Sequence, residues 1–205
     1  MAHRHGVLVL ADSAHGPGMV NMNLHDMGVD FLAASPYKWL GAPTGCGLLY
    51  VRRDVQDRLW PTIANSGWDT AQGSTRLEAL GQRADPLVFA LGEAVDFQTT
   101  VGRERIHRRI HSLATRLKEG LAEIPGVRLH TSMDDYLACG LTAFSGENIQ
   151  PDELVNYLRE RYNLVIRTIG SEERGTRGVR VSTHIFVSGE DVEKVLEGVR
   201  VMSRA

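Results

Sequence analysis

Two residues in the first forty positions are of types that could do covalent chemistry together. Asp12 closes the apolar run of residues 7–11 (VLVLA), and Lys38 follows a second run, residues 31–34 (FLAA), after Ser35, Pro36 and Tyr37. A lysine held against an apolar sheet edge has a desolvated ammonium, so its pKa falls and the free amine can form a Schiff base with an aldehyde. A buried carboxylate nearby can keep a pyridine nitrogen protonated, so that the ring withdraws electrons from a carbanion. Pyridoxal phosphate needs this combination. Taken alone, the acid and the amine more often mean a loop cap and a solvated rim residue, since charged residues end strands in every fold.

The elements that must position them are short. Apolar runs of four or five residues closed by polar ones read as buried strands. In an open α/β sheet, ligands sit beyond the carboxyl ends of the strands. Two neighbouring strands would therefore bring one carboxylate and one amine to the same rim. Leu24 and Met27 suggest a short helix between them, stopped by Gly28. Residues 47–51 read as a third strand and residues 53–59 as a short helix before Pro61.

Residues 62–85 lose all periodicity, and a loop of that length is usually functional or part of an interface. Pro86 then opens a long helix that runs past Gly102 to about residue 121. Its second part carries the cluster RERIHRRIH (residues 103–111), with Ile106, Ile110, Leu113 and Leu117 as the apolar stripe and the basic residues on a solvated face. Pro125-Gly126 turns the chain into a smaller α/β region. Strands are expected at residues 127–130, 137–144, 164–167 and 179–182, and helices at 151–162 and 189–202. Acids in the first turn of both helices match the helix dipole.

Composition narrows the classes. A chain of 205 residues with net charge -2 carries no dominant basic patch, so nucleic acid is not an expected partner. No run approaches the roughly 20 apolar residues of a membrane span, and Asp12 cuts the N-terminal run too short for a signal peptide. The two cysteines, Cys46 and Cys139, lie in apolar runs without metal spacing. They read as reduced core thiols, no metal is expected, and the reading is of a soluble, cytoplasmic protein.

The ordered segments around Asp12 and Lys38 resemble a known pattern. Asp12-Ser13-Ala14-His15, then Ser35-Pro36-Tyr37-Lys38-Trp39, then the run from Gly41 through Gly45, Cys46 and Gly47 to Val51, resemble the pyridoxal-phosphate segment of class V aminotransferase-fold enzymes. That family includes cysteine desulfurases and isopenicillin N epimerase-like proteins. The resemblance implies an α/β fold of the pyridoxal-phosphate-dependent transferase type (aminotransferase fold type I). It implies that residues 1–97 are the C-terminal part of the large domain, a partial sheet, and that residues 98–205 are the small C-terminal α/β domain.

It also implies roles. Lys38 would carry the cofactor as a Schiff base and then move the Cα proton. Asp12 would face the pyridine nitrogen, Ala14 would pack under the ring, and His15 would lie near the ring hydroxyl. Ser35 would bond the phosphate, with Tyr37, where the family usually has His, as a further donor. Gln82 stands where a threonine would reach a neighbouring subunit's phosphate. Arg180, in a strand-like run, would hold the α-carboxylate of an amino-acid substrate, and His184 would be a packing or interface residue. Read without the resemblance, Arg180 suits a structural salt bridge somewhat better.

Residues 168–177, the loop where a desulfurase keeps its sulfur-accepting cysteine, contain none. Persulfide chemistry is thereby disfavoured, which leaves transamination, epimerisation or elimination, and the Lys-Trp-Leu-Gly-Ala-Pro run leans toward the epimerase-like branch. The resemblance covers the second half of the family's usual length. The expectation is therefore a truncated or split form, working as a homodimer or with a complementary N-terminal half. The alternative is a non-catalytic remnant or interaction subunit that keeps the fold.

Overall fold

A computed structural model describes residues 1–170 and 177–204, and the chain divides into two units, Met1–Arg103 and Glu104–Ala205. In the first, β1 (Leu10–Asp12), β2 (Phe31–Ala34) and β3 (Leu48–Val51) form one sheet in that order. β1 and β2 are parallel, with Asp12 opposite Ala33, and β3 returns antiparallel, with Leu48 opposite Ala34. The crossover carries α1 (Leu24–Met27), whose cap is the Asn23 side chain accepting from the His25 N–H. After β2, Pro36 opens the single turn α2 (Pro36–Trp39), its fixed φ already helical.

The expected strand at residues 7–11 starts later and is not buried. The N–H of Val9 goes to the carboxylate of Asp30 at 2.6 Å. Leu10 is exposed, because β1 is paired on one side only. Asp30, just before β2, is fully buried and also meets His3 Nε2 at 2.8 Å and Arg52 at 2.9 Å.

Beyond β3 the expected helix is a 3₁₀ turn, Arg53–Arg58, and a second 3₁₀ turn, Gly73–Leu77, interrupts the long loop. The Arg76 guanidinium donates to the Leu59 carbonyl and ties the two turns together. α3 (Asp85–Val101) ends at Gly102, which takes φ 96° and ψ 116° before α4 (Arg103–Ala122) begins. The one long helix read from the sequence is thus two, since a residue with that positive φ cannot continue a helix and only glycine adopts it cheaply.

The second unit is a four-stranded antiparallel sheet in the order β4 (Val127–Leu129), β5 (Leu141–Gly146), β7 (Gly178–Ser182), β6 (Arg167–Ile169). Phe144, Val179 and Val181 turn one face of it toward α4, α5 (Pro151–Tyr162) and α6 (Gly189–Ser203), and the core includes Leu113, Leu117, Leu154, Leu158, Leu196 and Val199. The α4 stripe is buried as read.

Two strands shift. The one expected at residues 137–144 begins at Leu141, because Asp134 folds the chain ahead of it into a turn, accepting from the N–H groups of Tyr136 and Leu137. The one expected at residues 164–167 begins at Arg167, because Asn163 closes α5 in the left-handed conformation and the Leu164 N–H bonds back to Leu158.

Candidate active site

The sheet of the first unit brings three chain segments to one rim. Parallel β1 and β2 end there, with Asp12 as the last residue of β1 and Ser35 as the first beyond β2, and antiparallel β3 starts there at Leu48. A cavity of about 340 Å³ opens at this rim, lined by Asp12, Ala14, Ala33, Ala34, Ser35, Gly47, Leu48 and Leu49. Three residues assigned from the sequence to the cofactor, Asp12, Ala14 and Ser35, thus share one lining. Asp12 is exposed, not buried as the sequence suggested, because the cavity is open on an edge strand. Its Oδ1 accepts from the Ala14 N–H at 3.1 Å, which fixes the carboxylate over the start of the following loop.

Lys38 is half-buried on α2, and its backbone N–H bonds to the Ser35 carbonyl at 3.1 Å. A one-turn helix cannot hold itself, and the surroundings hold this one. Gly18, at φ 84°, packs so close that a Cβ there would lie 2.4 Å from the Trp39 carbonyl oxygen. Gln98, buried on α3, donates through Nε2 to the carbonyls of Trp39 and Leu40, both at 3.2 Å, and so satisfies carbonyls that the turn's end leaves without helix partners. Trp39 is 3% exposed, and its indole N–H donates to His15 Nδ1 at 2.8 Å. Gln98 and the bond from Trp39 to His15 escaped the sequence reading, since partners 59 and 24 residues away leave no local spacing.

Lys38, His15, Tyr37 and Gln82 are not among the lining residues. Tyr37 is 40% exposed, and Gln82 lies exposed in the loop before α3.

In the second unit Arg180 lies on β7 between Val179 and Val181, which face the core, so its side chain leaves the sheet on the other face. Its cross-strand neighbours are Ala143 and Arg167. Its Nε is buried and finds no hydrogen-bond acceptor among the described residues. His184 stacks on Phe186, ring centroids 4.3 Å apart. Both cysteines are free and half-buried: Cys46 lies before β3, its Sγ donating to the Leu87 carbonyl, and Cys139 lies before β5, where the sequence had placed it inside the strand. Of the cysteine-free loop at 168–177, residues 171–176 lie outside the described residues. Among the described residues no group of three or more His, Cys, Asp and Glu could hold a metal ion, and no helix is long and apolar enough to cross a membrane.

Residues 1–195 match the model of the family described as Aminotransferase class-V. The isopenicillin N epimerase of Streptomyces clavuligerus is 27% identical over 218 aligned residues, which take in 98% of this chain and 54% of that protein. The apo structure of a cysteine desulfurase from Thermococcus onnurineus NA1 superposes with a TM-score of 0.88 at 25% identity, covering 99% of this chain and 54% of that one. A K223A variant of the protein C-DES, solved with glycine covalently linked to its pyridoxal-phosphate cofactor, shares the fold, with a TM-score of 0.84 at 23% identity over 98% of this chain and 54% of that one. The chain spans about half the length of the curated relatives it matches.

Proposed function

The chain belongs to the class V aminotransferase family, and on that premise we propose that it is the lysine-bearing half of a pyridoxal-phosphate enzyme acting at Cα of an amino acid. The observation that carries this reading is the rim cavity, in which Asp12, Ala14 and Ser35 share one lining and Ser35 is followed three residues later by Lys38 on a pinned turn. The donor set suits the cofactor: a carboxylate for a pyridinium N–H, a hydroxyl for a phosphate oxygen, and an amine. A volume of about 340 Å³ lies in the range of small-molecule sites. When bound, pyridoxal phosphate supplies an electron sink for the carbanion left at Cα.

The chain's own residues do the rest. Lys38 Nζ would hold the cofactor and, as a free amine, would accept the Cα proton. Epimerisation would need a second acid on the face opposite Lys38, transamination would deliver the proton to another carbon, and elimination would expel a β-substituent as the Cα electron pair forms the double bond to Cβ. Asp12 would offer its side-chain oxygens to the ring nitrogen. Arg180 takes the substrate's α-carboxylate through its planar fork, a role supported by a buried Nε that has no acceptor among the described residues. Tyr37 and Gln82 add donors to the phosphate, the latter in a homodimer. Residues 1–97 would be the end of the large domain and residues 98–205 the small one. A complementary N-terminal half completes the site.

The test is reduction with borohydride after adding pyridoxal phosphate to the chain co-expressed with the N-terminal half of a relative. Peptide mass spectrometry should find the pyridoxyl group on Lys38, and Lys38→Ala should abolish both the label and the absorbance band of the lysine-bound cofactor. A colourless complex that borohydride leaves unlabelled would make the chain a non-catalytic interaction subunit.

A further inference from the structure

We propose that Trp39 is a positioning residue that locks His15 in a single tautomer, with its proton on Nε2. An indole N–H can only donate. At 2.8 Å from Trp39 Nε1, His15 Nδ1 must therefore offer a lone pair, and in the neutral ring the proton resides on Nε2. The indole is not free to turn away. Trp39 is 3% exposed, its carbonyl is held by Gln98, and Gly18 packs against its backbone so closely that no side chain fits between. Its ring meets His15 edge-on, centroids 6.4 Å apart.

The same residue therefore does two things. It follows Lys38 in the chain and fixes the turn that carries the amine, and it reaches back 24 positions to set which nitrogen of His15 can donate. The use of that donor rests on the function proposed above, in which His15 would lie near the ring hydroxyl: an imidazole held with its proton on Nε2 would meet that oxygen as a donor. An unlocked histidine would divide its population between two tautomers, and only one of them could make that bond.

The experiment uses the chain without cofactor, so it stands whether or not pyridoxal phosphate binds. In the ¹⁵N-labelled chain, His15, assigned by its loss in His15→Gln, should show a pyridine-type Nδ1 and a protonated Nε2. In Trp39→Phe the two nitrogens should move toward each other as the tautomers mix. From the other side, His15→Ala should speed exchange of the Trp39 indole proton by roughly five- to tenfold, the factor that one neutral hydrogen bond implies. The indoles of Trp60 and Trp68 serve as internal controls in the same spectrum. A protonated Nδ1, or tautomer mixing already present in the wild type, overturns the proposal. So does a Trp39 indole proton whose exchange is unchanged in His15→Ala, a measurement that remains valid if Trp39→Phe does not fold. If the tautomer is locked yet borohydride labels nothing, the proposed function fails and the lock stands.

Discussion

At the scale of single residues, the first unit is fastened by a carboxylate away from the site. Asp30 accepts from His3 Nε2 and from the Val9 N–H and pairs with Arg52, and together these hold its pKa below the usual carboxylate value, His3 contributing most. Because the folded value lies under the unfolded one, the stabilisation is complete above about pH 4 and is lost as pH falls through the folded value. Urea titrations of the first unit should show a midpoint that drops below that pH. Asp30→Asn should lower the midpoint at neutral pH and remove much of the acid-side drop, whereas an unchanged acid profile would show that Asp30 does not control it. None of this was legible beforehand, because His3, Val9 and Arg52 stand 27, 21 and 22 positions from Asp30. By contrast, Asp12, Ala14 and Ser35, which share the rim cavity's lining, stand in short local segments that a reading of the chain can pick out. Sequence could not report that Asp12 would be exposed, since that depends on which strands flank β1.

Elements were read best where one periodicity rules from end to end. α5 runs Pro151–Tyr162 as expected, because Pro151 starts it, Asp152 and Glu153 suit its first turn, and Asn163 can close it in the left-handed region. Boundaries failed where a single side chain or glycine overrode the pattern: Asp134 delays β5, Asn163 delays β6, and Gly102 splits one apparent helix into α3 and α4. α6 shows how much one such residue can hold. Ser188 Oγ accepts from the Asp191 N–H at 3.1 Å, while Asp191 Oδ2 accepts from both the N–H and the hydroxyl of Ser188. That reciprocal cap, the backbone bond foremost, lowers the Asp191 pKa. Ser188→Ala should cost about 1 kcal/mol, or a melting temperature about 4–8 °C lower for a unit of this size. Ser188→Asp, which can still accept from the Asp191 N–H, should recover part of the loss if repulsion from Asp191 is screened by salt. A melting temperature unmoved by Ser188→Ala would mean that packing alone fixes the start of α6.

Over the whole molecule, the two units meet water on different terms. The second buries a continuous set of aliphatic side chains from Leu113 to Val199 between its sheet and its helices. The first does not close in this way. On α3 only Ala94 and Gln98 are buried, while Val88, Phe89, Val95 and Phe97 stand exposed, Phe89 at 77%. Leu10, Leu48 and Leu49 are exposed on the sheet. Helices apolar on nearly every side are found inside larger structures, and contiguous apolar patches beyond a few hundred Å² are uncommon on monomers. Each unit's opening free energy follows from its own buried contacts. Amide exchange in α3 and β1–β3 should therefore outpace that in α4–α6 and β5–β7, and a dye that reports exposed apolar surface should bind the first unit. Replacing Val88 and Phe89 by serine should weaken dye binding and leave protection of the second unit unchanged, because neither side chain is buried. Adding the N-terminal half of a relative should suppress dye binding and slow exchange in α3 together. Equal protection in both units, with no dye bound, would show that the apolar side chains of α3 are not open to water and would count against the proposed complementing half.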